Sequence, residues 1–116
     1  MDLDRSGSTF ALHSDMPMAP KALLLLMHSG INRRTFANKV VGPRQRISAE
    51  QALRGVTINA VLILGMEADY GSIKKGKRAN LTVVSENSLK VDPENIKDIR
   101  FKQLLRMEYI FRSMID

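Results

Sequence analysis

The sequence contains no cysteine and no tryptophan. Without cysteine there can be no disulfide framework and no thiolate metal site. A reducing, cytoplasmic setting is expected on that ground. Aromatic residues make up 5% of the chain, so the stacking platforms that hold single-stranded nucleic acid are scarce. Long hydrophobic runs are also missing. Leu23-Leu24-Leu25-Leu26-Met27 is far shorter than the roughly 20 residues of a membrane span, and no membrane partner is expected. Met1-Asp2-Leu3-Asp4-Arg5 lacks the basic start and apolar run of a signal peptide, so no leader is expected either.

What is present is ordinary for a globular protein. The chain has 116 residues, 44% hydrophobic and 26% charged. That length suits one domain and is short for two. The net charge of +6 raises nucleic acid as a partner. However, the basic residues are spread out, and only Arg33-Arg34 and Lys74-Lys75-Gly76-Lys77-Arg78 cluster. A solvated basic surface explains that pattern better, and nucleic acid is not the expected partner.

Chemistry concentrates at Phe10-Ala-Leu-His-Ser-Asp15. The composition predicts a buried strand at about 9–13 that ends in a polar tip. His13 and Asp15 are two apart, so on a strand they share one face. Pro17 then stops further pairing. Residues 14–20 read as a loop. Pro20 opens a helix to about Ser29, and Gly30 is the expected stop. Residues 32–47 read as a long basic loop, too polar for a core and of a length that is usually functional or mobile. Ser48-Ala-Glu-Gln51 has the spacing of a capping box, with Ile47 as a hydrophobic staple. The helix after it is expected to run to Leu64 and to end at Gly65. Ala79–Val84 alternates as a strand, with Ala79, Leu81 and Val83 on one face. Asp92-Pro93-Glu94 can open a short helical turn. Ile96–Arg106 and Glu108–Arg112 read as further strands, with a bulge or a helix open at Leu104-Leu105. One strand, two helices and then a β patch is an odd order for an independent small domain. It reads better as the end of an α/β barrel plus a β extension.

Several stretches together carry a resemblance. They are Ala11-Leu-His-Ser-Asp15, Ile31-Asn-Arg33, Arg46-Ile-Ser-Ala-Glu-Gln-Ala-Leu-Arg54, Thr57-Ile-Asn-Ala60, the run Gly71-Ser-Ile-Lys-Lys-Gly-Lys77 into Val84, and Val91-Asp-Pro-Glu-Asn-Ile-Lys-Asp98. In this order the chain resembles the C-terminal end of the metal-dependent amidohydrolases, in the amidohydrolase-3, N-substituted formamide deformylase-like branch. The resemblance implies a (β/α)8 barrel with a small β-sandwich. Residues 1–70 would be the end of the barrel and 71–116 part of the sandwich. The fold class expected is α/β, or α+β for the piece alone.

The resemblance also implies roles. Asp15 would be the metal-site aspartate, at the C-terminal end of the last barrel strand, where barrel chemistry sits. It would contact a divalent metal, zinc being the expected one, and take the proton of the metal-bound water. The substrate class implied is an amide or another non-peptide C–N bond. The chain departs from the family at several points. It has no His-x-His motif, and His13 and His28 are its only histidines. Asn80 stands where the family usually has an acid. Arg106-Met-Glu-Tyr109 lacks the glycine of the family's last hairpin.

Each residue also has a plainer reading. Asp15 could cap a turn. His13 is more often a packing residue or one that supports a ligand than a ligand itself. Ser14 has no Gly-x-Ser-x-Gly elbow around it. Arg33 and Arg34 could clamp a substrate carboxylate or sit in a solvated loop. Met16 and Met18 could line an apolar pocket or pack a loop. The lysine turn reads as exposed. Because a zinc site needs at least three protein ligands, the chain is expected to be an inactive fragment of an enzyme, with no metal bound by itself. The alternative is a non-catalytic remnant or interaction module. Both expose apolar faces that a barrel would cover, so a homo-oligomer is expected.

Overall fold

The computed structural model describes residues 6–15 and 22–107. The expectations for Met16, Pro17, Met18 and Pro20, and for a strand at 108–112, lie outside them. The described residues form a small mixed unit of helices and one two-stranded sheet. No helix among them is long and apolar enough to cross a membrane.

Helix α1 spans Leu23–Asn32 and buries Met27, His28, Ile31 and Asn32. These recur at helical spacing, so one stripe faces inward. The helix runs through Gly30 and ends at Arg33, which adopts φ 54° and donates its N–H to the Ser29 carbonyl. Gly30 is therefore not the stop. A Cβ there would lie 2.9 Å from Ile47 Cδ1. The glycine lets the 46–48 segment cross the helix, and the Ile47 N–H reaches the Gly30 carbonyl at 3.2 Å.

The 32–47 loop carries more structure than its composition suggests. Arg34 and Val40 form an isolated antiparallel bridge, and Pro43–Gln45 makes a 3-10 turn. Ser48 then caps helix α2, Ala49–Val56. Its hydroxyl accepts from the Gln51 N–H at 3.1 Å, and Gln51 Oε1 accepts from the Ser48 N–H at 2.7 Å. This is the capping box read from the spacing. The expected single helix is broken at Thr57, whose backbone leaves the helical region (φ −125°, ψ −101°), and α3 follows as Ile58–Ile63. The Thr57 hydroxyl donates to the Leu53 carbonyl at 2.7 Å, the bond its own N–H would make in a continuous helix. Gly65 (φ 70°) closes α3 as expected.

Strand β1, Ala79–Val84, pairs antiparallel with β2, Phe101–Met107. Along the face shared by Ala79, Leu81 and Val83, Ala79 is buried and Leu81 half-buried, but Val83 is exposed. The register skips Lys102 opposite Val83/Val84. Such a bulge bends and over-twists a ribbon. Ile96–Asp98 is not strand but part of a 3-10 helix, Pro93–Asp98, capped by the Asp92 carboxylate on the Glu94 N–H. The helical turn read at Asp92-Pro93-Glu94 is therefore present and longer than expected.

The core joins Met27, Ile31, Ala52 and Ile96, with Leu12, Ile47, Leu53 and Val91 packed around them. One polar contact lies among these apolar residues. Asn32 Nδ2 donates to the Pro93 carbonyl at 2.8 Å and faces His28 Nδ1 at 3.0 Å.

Candidate functional site

The segment ending in Asp15 carries no regular secondary structure and is not a strand among the described residues. A strand needs a neighbour, and none of the described strands is one. Helix groups hold the segment instead. The Leu12 N–H donates to the Gly55 carbonyl at 3.0 Å, and Asn59 Nδ2 donates to the Phe10 carbonyl at 3.1 Å. Phe10, Ala11 and Leu12 are half-buried, not buried on both sides as expected. The Leu12 side chain reaches the core, while His13 and Asp15 are exposed. The shared face expected from their spacing requires a strand, which this segment is not; the exposure of both side chains is what is observed.

Asp15 adopts φ 51°. Aspartate is among the few residues that enter this left-handed region readily.

Among the described residues, no group of three or more His, Cys, Asp and Glu side chains could hold a metal ion. His13 and Asp15 therefore do not fit a complete metal site by themselves. His28 belongs to the core, at 7% exposure, against Asn32. An open cavity of about 240 Å³ lies on another flank, between residues 7–10 and Gln51, Arg54 and Asn59. Neither His13 nor Asp15 lines it.

Arg33 is engaged within its own loop. Its Nε donates to the Val41 carbonyl at 3.2 Å and its Nη2 to Gln45 Oε1 at 3.1 Å. Arg34 pairs with Glu94 at 2.8 Å and also reaches Asn38. Both arginines thus shape the loop. In the basic turn, Lys77 donates to the Tyr70 carbonyl at 3.0 Å and the Arg78 guanidinium stands over the Tyr70 ring.

Sequence reasoning missed Gly55 and Asn59. Gly55 gave a signal, since a glycine inside a helical pattern costs about 1 kcal/mol against alanine and calls for a packing reason. Asn59 lay inside the quoted Thr57-Ile-Asn-Ala60 stretch but had no task attached to it.

The amidohydrolase family model matches residues 1–110 of the chain. N-substituted formamide deformylase of Arthrobacter pascens is 30% identical over 95 residues, which cover 82% of this chain and 18% of that protein. Imidazolonepropionase of Acinetobacter baumannii (strain ACICU) is 37% identical over 79 residues, covering 67% of this chain and 18% of that protein. The imidazolonepropionase of Pseudomonas paraeruginosa is 35% identical over the same length, covering 67% and 17%. No solved structure matches the chain significantly. The chain thus spans about a fifth of the length of these relatives. With a family model matched over nearly all of its residues, the chain belongs to the amidohydrolase family.

Proposed function

We propose that the chain is the C-terminal part of a metal-dependent hydrolase acting on amide or other non-peptide C–N bonds, with Asp15 as its metal-site acid. Residues 1–70 would complete a (β/α)8 barrel and 71–116 a small β-sandwich. The observation that carries the reading is Asp15 itself: an exposed carboxylate at the end of a braced segment, in a chain that belongs to this family. The described residues do not fit a closed metal site. The remaining ligands are proposed to come from residues outside this sequence, as the coverage of about a fifth of each relative suggests. What this chain contributes is one carboxylate, which accepts hydrogen bonds when ionised and can take up a proton. Zinc remains the expected metal. A cytoplasmic setting agrees with a chain that has no cysteine for disulfides. His13 is proposed as a support to Asp15, and Arg33 as a loop brace that could also meet a substrate carboxylate.

The test joins this chain to the preceding part of the Arthrobacter pascens relative and measures hydrolysis of an N-substituted formamide with zinc. Turnover is expected from the fusion. Asp15→Asn should lower it by about 10²–10⁴-fold, the usual weight of a positioned acid–base group. Undiminished turnover in the Asp15→Asn fusion, or turnover by the chain alone, overturns the reading.

A second reading rests on a separate observation. Leu62, Ile63, Leu64 and Met66 are all more than two-fifths exposed at the end of α3. We propose that the chain by itself self-associates through this patch, which the rest of a barrel protein would otherwise cover.

A further inference from the structure

We propose that Asn59 is a positioning residue, and that the corner between α2 and α3 is the latch that places the Asp15 segment. Four observations converge on it. First, Thr57 breaks the helix, so the Gly55 carbonyl lies in the last turn of α2, where carbonyls lack partners within the helix. Second, that carbonyl accepts the Leu12 N–H at 3.0 Å. Third, Asn59, one turn beyond Gly55 and past the break, turns its amide onto the Phe10 carbonyl at 3.1 Å. The Phe10 carbonyl and the Leu12 N–H are thus both held by the same corner. It grips the segment at two positions two residues apart and fixes where the segment lies. Fourth, Gly55 is buried, and a Cβ on it would lie 3.2 Å from Leu12 Cγ. Even a single methyl there would require Leu12 to give by a few tenths of an ångström.

The consequence is that Asp15 is aimed by a helix corner. A slip of the segment along the corner would carry His13 and Asp15 with it. The link to catalysis rests on the reading of Asp15 as the functional acid. The latch itself is a matter of hydrogen bonds and is tested separately from it.

The experiment follows hydrogen exchange of individual amides by NMR in the intact chain and in Asn59→Asp. In the native chain the Leu12 amide should be protected. At neutral pH the aspartate has no donor for the Phe10 carbonyl, and Leu12 protection should fall by at least about ten-fold. The Ser85 amide, bonded to the Arg100 carbonyl at 2.8 Å, reports whether the fold survives. In acid, where the protonated carboxyl regains an O–H donor, Leu12 protection and the Phe10 carbonyl shift should move back toward native values. A merely space-filling role for residue 59 predicts no such recovery. If Asn59→Asp unfolds the chain, Asn59→Gln, which keeps the donor on a longer arm, replaces it and should retain more Leu12 protection than Asn59→Leu. An unprotected Leu12 amide in the native chain, or protection indifferent to the donor at residue 59, overturns the proposal. Loss of activity in Asp15→Asn with an intact latch would separate the two readings.

Discussion

At the scale of single residues, the polar groups divide between those that build the fold and those left for chemistry. Asn32 is 7% exposed, and one amide nitrogen serves both the Pro93 carbonyl and His28. Its own backbone carbonyl accepts from Arg46 Nε at 3.3 Å. Asn32→Leu would strand the buried partners, and an unsatisfied buried polar group costs about 1–3 kcal/mol. Urea denaturation should show a loss of that size, with an unchanged slope. A loss below about 0.5 kcal/mol would mean that water replaces the amide. Asp15 and His13 are the contrast, since both are exposed and neither supports the core. The capping box at Ser48 was legible because it is local chemistry at a fixed spacing. The task of Asn59 was not, because its partner lies 49 residues away.

At the scale of elements, α1 organises the unit. It packs on α2 through Met27, Ile31 and Ala52, and the 3-10 helix Pro93–Asp98 closes over it with Ile96, which is fully buried. Ile96→Ala would remove a well-enclosed side chain, a change that typically costs about 2–5 kcal/mol. The midpoint of urea unfolding should fall accordingly, while Val83→Ala, at an exposed position, should shift it little. Equal effects from the two would show that the 3-10 helix is not seated on α1. The periodicity of Ile96 misled the sequence reading here. An alternating pattern around Asp98-Ile-Arg-Phe-Lys is compatible with a strand, but Asp92 and Pro93 start a helical turn first, and the strand is delayed to Phe101. Likewise, the helical spacing from Ala52 to Ile63 is real, yet it runs across a break that a single threonine introduces.

At the scale of the whole molecule, apolar surface is left over. Leu62, Ile63 and Leu64 at the end of α3, and Phe101 and Leu104 on β2, are between 46% and 77% exposed. The two-stranded sheet has no further strand among the described residues. Such surface is expected to associate. Sedimentation velocity on the isolated chain should therefore report a dimer or larger species that becomes monomeric when Ile63→Glu and Leu64→Glu are combined. A monomer at all concentrations would remove self-association, and a dimer indifferent to these changes would move the interface to β2. Fusion to the preceding part of a relative should bury the same patch and suppress the association.

By itself the sequence determined what depends on neighbours in the chain. It set the family, the capping box, the Gly65 stop and strand β1. These follow from spacing, side-chain chemistry and ordered motifs. The tertiary structure decided what depends on distant partners. Gly30 and Gly55 serve close approach, the first to Ile47 and the second to Leu12. His28 goes to the core and His13 to the surface. The Asp15 segment is held by a helix corner through two hydrogen bonds, to Gly55 and from Asn59. Contacts between residues this far apart in the chain leave little mark on local pattern, because burial and hydrogen bonding there are settled only once the elements meet.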